Sequence, residues 1–460
     1  LGLSTPVMAD TFVITSGTAT NNGETINGGD TVNVTGTIDT STTNNEGGIE
    51  TTGSNTITVS TDGIIKTGGT GADGIWNQGD TNTTTMSGSI TTLNNSSSGV
   101  HNESNSNKTT VSGSITTSGK NGYGIYNDGN TNTTTMSGSI TTSGQYGYGI
   151  KNTGDTNTNT VSGNITTTGV TGHGIWNTGD TNTNTVSGNI TTSGQYGYGI
   201  YNKGDTNTTT MSGSITTSGE KGYGIYNKGD TNINTVSGSI TTSGETGYGI
   251  INYGNTNTTT MSGSITTSGT NGDGIYNEGN TNTTEMSGSI TTSGESAYGI
   301  YNEGNTNTTE MSGSITVSGD LGHGIVNLGN SNTTEMSGSI IATGLQVYAI
   351  ADEGNSNKTT ISGIISINVD DYTGTLDPED IAYGAGIGYI AGGNNNTATI
   401  SGSITSVRPY AYGVVTMGLN NSIAISGTVK ASGSKSVALY ALTGDGNTFT
   451  LNEGAVIIGE

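Results

Sequence analysis

The segment GYGIYNKGDTNTTTMSGSITTSGEK, Gly197–Lys221, recurs with a period of 25 residues, and the register does not slip from Ala72 to Ile365. A strict period of this length marks an architecture in which each copy is the packing surface of the next. It also sets aside the disordered reading that the composition invites, with 80 Gly in 460 residues and only 28% hydrophobic.

The columns of the repeat define its faces. The Ile200 position holds Ile or Val, the Met211 position Met, Val or Ile, and the Ile215 position Ile in all twelve coils. Met211, Gly213, Ile215 and Thr217 are spaced by two, so in extended chain they share one face. Val317 and Ala342 at the Thr217 position mark that face as inward. Thr206, Thr208, Thr210, Ser212, Ser214 and Thr216 then point outward. This alternation predicts strands over 198–202, 206–212 and 214–218, hence three sheets per turn. One coil has too few apolar residues to hold itself, but turns stacked at about 4.8 Å pair every strand with its neighbours and align each Ile into a buried column.

The bends are read from Asn and Gly. Asn202 and Asn207 recur in nearly every coil, which predicts amide ladders along the axis and αL geometry at the bends. Gly204, Gly213 and Gly219 are expected to supply backbone angles that other residues resist. The fold expected is all-β: a single-stranded right-handed parallel β-helix, or β-solenoid, of 25-residue coils. About sixteen coils would span roughly 75–80 Å. Residues 10–71 are expected as irregular N-terminal coils, 72–365 as the regular array, 366–384 as an inserted loop and 385–460 as irregular C-terminal coils. Residues 1–9 resemble the remnant of a signal peptide, with Val7-Met8-Ala9 at its cleavage site.

Charge and composition narrow the partners. The net charge is −24, and Arg408 is the single arginine, so nucleic acid and anionic membranes are poor partners. With no cysteine there is neither a disulfide framework nor a thiolate zinc site. No run of apolar residues is long enough for a transmembrane helix.

Several columns are candidate sites. Trp76, Tyr126, Trp176, Tyr201, Tyr226, Tyr276 and Tyr301 share one outward column, suited to glycans or partner proteins. A second aromatic column runs through Tyr198. Thr131, Thr133, Thr206, Thr208, Thr256 and Thr258 belong to outward T-x-T-x-T rows, a lattice that suits an ice surface; Lys108, Ile233, Lys358 and the acidic trio Glu285, Glu310 and Glu335 interrupt it. Asp155, Asp180, Asp205 and Asp230 form an acidic column, read as a solvated turn rather than a calcium site. His173 and His323 stand six coils apart, and no acid–base or nucleophile set can be assembled from local motifs. We expect no catalytic residues, no cofactor and no metal.

The motifs G-x-G-I-x-N and N-x-[ITV]-x-[MVI]-S-G-[ST]-[IV]-T-T-[ST]-G, with the closing NTFTLNEGAVIIG, resemble passenger domains of bacterial autotransporters over most of residues 10–460. The resemblance implies secretion by a Gram-negative cell, attachment to its outer membrane through a C-terminal translocator β-barrel beyond Glu460, and display of the β-helix as an adhesin. Three functions are thus expected in order: a non-enzymatic adhesin and spacer binding surface glycans or proteins of host or neighbouring cells, an ice-binding solenoid, and a β-helix carbohydrate-active enzyme.

Overall fold

The computed structural model describes residues 11–14, 24–42, 46–368 and 386–459. Among these residues there is no helix, and the chain forms a parallel β-solenoid of about 17 turns with three strands per turn. It comprises two compact units, Leu1–Ile225 and Tyr226–Glu460. The proposed signal-peptide remnant lies outside the described residues, and so does most of the expected inserted loop.

The coil Gly197–Lys221 shows the plan. Its strands are Ile200–Asn202, Thr208–Met211 and Ser214–Thr217, here called the strands of sheets I, II and III. Each pairs in parallel with the same strand one turn away, so that Ile200 lies beside Ile175, Met211 beside Val186 and Ile215 beside Ile190. Ile200, Met211 and Ile215 are fully buried. Three strands were expected, but they are shorter, because residues 198–199 and 206–207 belong to the bends.

The stacking absorbs the irregular coils. In unit 1, Thr56 pairs with Thr83 and Ile49 with Ile75, so the extra residues fall in turns while the strands stay aligned. In unit 2, Ile365 pairs with Ile404 across the insertion. The strand Ile364–Asn368 runs into the span expected as loop, and residues 369–385 lie outside those described.

Two expectations about the bends are corrected. The glycines at 204, 213 and 219 are not at positive φ. They are glycine because the preceding turn passes too close: a Cβ would stand 2.3 Å from Gly179 O, 1.9 Å from Gly188 O and 1.8 Å from Gly194 O respectively. The left-handed conformation falls instead on the Thr206 position, with φ of 56° at Thr131, Thr206 and Thr256, and in several coils on the position of Lys221, as at Asn121 and Tyr146.

Asparagine holds the corners in two ways. Along the Asn202 column each Nδ2 donates to the Oδ1 one turn on: in unit 1 Asn77 to Asn102, Asn102 to Asn127 and Asn127 to Asn152, each at 2.7 Å. This is the expected amide ladder, and it is fully buried. The Asn207 column works differently. Asn132 Oδ1 accepts the Asn107 backbone N–H at 2.7 Å, and its Nδ2 donates to Gly129 O at 2.8 Å. Each such amide stitches the bend of its own turn to the backbone of the turn before. Buried Thr217 is likewise satisfied, donating Oγ1 to Gly222 O at 2.6 Å.

Candidate functional site

Sheet I carries the aromatic columns on and beside its outer face. In unit 1 the Tyr201 column reads Trp76, His101, Tyr126, Lys151, Trp176 and Tyr201. In unit 2 it reads Tyr226, Ile251, Tyr276, Tyr301 and Val326. The tyrosines are half-buried, because each ring leans on its neighbours. His101 stacks on Tyr126 with centroids 4.5 Å apart, Trp176 on Tyr201 at 6.0 Å and Tyr276 on Tyr301 at 5.3 Å, all within 16° of parallel.

The Tyr198 column runs alongside and is a tighter ladder. Tyr123 stacks on Tyr148, Tyr148 on His173, His173 on Tyr198 and Tyr198 on Tyr223, with centroids 4.6–5.3 Å apart. The two columns meet edge to face, as in Tyr198 against Tyr201 at 5.5 Å and 90°. Burial raises the phenol pKa of Tyr126, Tyr201 and Tyr301, so these groups stay neutral hydrogen-bonding hydroxyls.

This geometry revises how the columns meet a partner. Ring faces are largely covered by the next rung, so a sugar cannot lie flat along the column. What the column presents is a line of ring edges. Lys151 breaks the line in unit 1: its Nζ sits 4.5 Å from the centroids of Tyr123 and Tyr126 and 5.6 Å from that of Trp176. Glu278 and Glu303 border it in unit 2, where the Tyr276 hydroxyl bonds Glu303.

The other candidate columns separate. Thr133, Thr208 and Thr258 start sheet II strands and are partly exposed. Thr131, Thr206 and Thr256 are not in the sheet: they sit at the left-handed bend, so the three-column lattice reduces to two columns, those of Thr208 and Thr210. The acidic column has a structural task. Asp155 Oδ1 accepts the Asp180 N–H at 2.8 Å, and Asn130 Oδ1 does the same for Asp155 at 2.7 Å. Only one carbonyl-type oxygen is needed, which is why both Asn and Asp serve there. Among the described residues no three His, Cys, Asp or Glu are grouped to hold a metal ion.

Both histidines of the Tyr198 column are acceptors, His173 buried and His323 partly so. His173 Nδ1 takes the Tyr198 N–H and His323 Nδ1 the Tyr348 N–H, each at 3.1 Å. Burial pushes their pKa down, to about 3 and about 4. Asp273 occupies the same column and accepts the Tyr298 N–H at 2.7 Å. Burial holds its carboxyl well above the usual range.

One feature of unit 2 went unread in the sequence. The outward residues Val326, Ala351, Ile390 and Val415 of sheet I are buried, forming an apolar layer with Ile387 and Tyr412. Its signal is the loss of alternation in GIGYIA and AYGVVT, strands in which all six residues are buried.

No protein-family model matches the chain, and no curated protein matches it.

Proposed function

We propose that the chain is a non-enzymatic adhesive scaffold displayed at a cell surface, binding glycans or proteins of neighbouring or host cells through the outer columns of sheet I. The observation that carries this reading is the recurrence of an aromatic edge at one outward position, turn after turn, within each unit. Each edge is a small site. Sites held in register by one backbone act together, and linked weak sites gain affinity by factors of roughly 10²–10⁴ over a single one. The resemblance of the coil motifs to autotransporter passengers supports secretion and attachment to a Gram-negative outer membrane. The test has two parts. Intact cells are labelled with antibody and shaved with protease, which should reach the solenoid; the purified protein is applied to a glycan array, which should show binding that falls when Tyr201 and Tyr301 become Phe. A solenoid inaccessible on intact cells, or binding unchanged in the double variant, sinks the reading.

A second reading, ice binding, is favoured by one observation. Thr133 and Thr135, Thr158 and Thr160, Thr183 and Thr185, and Thr208 and Thr210 face outward on four successive turns of sheet II. Thermal hysteresis that disappears in Thr183→Tyr would place this reading first.

A further inference from the structure

The tyrosine ladder of unit 1 ends over a cleft. Down the Tyr198 column the residues are Tyr198, His173, Tyr148, Tyr123, and then Ser98 and Asp73. Tyr123 stacks on Tyr148 at 5.3 Å and 3°. On its other side the column holds Ser98, so among the described residues no ring stacks on that face. The two rungs replaced by small side chains leave a cleft of about 360 Å³, lined by Asp73, Trp76, Ser98, His101, Tyr123 and Lys151, with others. This is near the lower end of small-molecule sites, about 300–1,000 Å³.

The polar groups at the cleft are fixed in place. Asp73 Oδ1 accepts the Ser98 N–H at 2.5 Å, and its Oδ2 holds His101 Nδ1 at 2.9 Å. The carboxylate therefore keeps the proton of a neutral ring on Nδ1 and leaves Nε2 as an acceptor. That Nε2 is buried and has no hydrogen-bond partner. The His101 ring is clamped between Trp76 and Tyr126. Trp76 is anchored in turn through its Nε1–H to Glu103 at 2.9 Å. Lys151 Nζ lies 3.3 Å from the Tyr123 hydroxyl. An aromatic face with no ring partner, a rigid carboxylate–imidazole pair and an ammonium thus converge on one small volume.

We propose that this cleft binds a single pyranose residue of a glycan. Its C–H face packs under Tyr123 in place of the missing rung, and its hydroxyls meet Asp73 and Lys151. A sugar fits better than a flat apolar ring because hydrogen-bonding groups stand on several sides of the cleft. The proposal rests on the reading of the chain as a glycan-binding adhesin and narrows it to one site.

Trp76 and Trp176 are the two tryptophans of the chain, so Trp176→Phe leaves Trp76 as a reporter at the cleft. That protein is titrated with the methyl glycosides of glucose, galactose, mannose and N-acetylglucosamine. A saturable change in Trp76 fluorescence with at least one of them is expected. Ser98→Tyr, which restores the ring found in other turns, should abolish it, and Asp73→Asn should weaken it about tenfold. No saturable change with any of the four sugars overturns the proposal, as does a response that survives Ser98→Tyr intact. Should Ser98→Tyr fail to fold, as read by circular dichroism, undiminished affinity in both Asp73→Asn and Asn121→Ala, the latter also in the lining of the cleft, overturns it. Array binding by the unaltered protein with no Trp76 response removes the cleft and keeps the column reading. A Trp76 response without any avid array binding does the reverse.

Discussion

Asn327 donates its Nδ2 to Asp352 Oδ1 across 2.7 Å, and with that bond the amide ladder of unit 2 ends. A ladder in which every Nδ2 points to the next turn leaves its last amide with a donor and nothing to receive it, since Ala391 occupies the following position. A carboxylate removes the problem. Asp352 accepts from Asn327 with one oxygen and from Thr359 Oγ1 and Tyr389 OH, at 2.7 and 2.6 Å, with the other. In unit 1 the ladder begins on Thr51, whose hydroxyl donates to Asn77 Oδ1 at 3.3 Å. Each unit thus closes one end of its ladder with a residue of matching hydrogen-bonding sense.

Asp352→Ala should therefore cost more than its size suggests. It leaves three buried donors without an acceptor, at about 1–3 kcal/mol each. We expect a loss of about 3 kcal/mol or more in denaturant unfolding, against about 1 kcal/mol for Asp352→Asn, whose amide keeps one acceptor oxygen.

Asn234→Thr should stabilise unit 2. Asn234 is buried with both side-chain polar atoms unpartnered. In the following turn Thr259 stands at this position and accepts from Asn252 Nδ2 at 3.2 Å. A threonine hydroxyl in place of the Asn234 amide would offer Asn227 the same acceptor, and a gain of about 1 kcal/mol in thermal or urea unfolding is expected.

Gly213→Ala should distort unit 1 although the backbone angle there suits any residue. The added Cβ would stand 1.9 Å from Gly188 O, a backbone atom that cannot move without parting two turns. The measurable outcome is faster amide hydrogen exchange at Ser187–Asn189 and Ser212–Ser214, and a drop in the unfolding midpoint. Unchanged exchange would mean the turns are farther apart than described.

His173 gives the fold a pH dependence whose sign is fixed by burial. Its pKa falls from 6.5 to about 3, so between these values the unfolded chain binds a proton that the folded chain does not. Stability is full above about pH 6.5 and declines as pH falls toward 3, by about 2 kcal/mol at pH 5. His173→Tyr, which installs the residue most common in that column, should flatten this slope in unfolding measured from pH 7 to 5. Asp273, raised by burial, works oppositely in unit 2. Its contribution is lost as pH rises past the ordinary carboxylate range, so Asp273→Tyr should stabilise most at neutral pH.

The period of 25, the inward Ile and Met columns and the Asn202 ladder were legible in the sequence, because each rests on side-chain chemistry repeated at one position. The role of glycine was not. A column of Gly reads alike whether it serves a left-handed bend or a close approach, and only the packed turns distinguish Gly213, beside Gly188 O, from a turn residue. Thr206 misled for a related reason: its spacing from Thr208 fits a strand, yet φ is positive there and the strand starts only at Thr208. The aromatic columns were visible, but whether their rings lie open to a partner or cover one another depends on side-chain angles that only the packed turns set. The cleft at Asp73 and Ser98 was also hidden, since it arises from two side chains being small where others are large.

The most direct test of the adhesive role is the residence of the purified protein on a dense surface of whichever glycan it binds, measured as Tyr201, Tyr226 and Tyr301 are changed to Phe one, two and three at a time. Phe keeps the rung and the fold while removing the hydroxyl edge. Cooperation among many weak edges predicts a stepwise shortening of residence with each substitution, and none with Thr208→Ser or Thr258→Ser. Residence that is unchanged in the triple variant, or abolished by a single one, would contradict it.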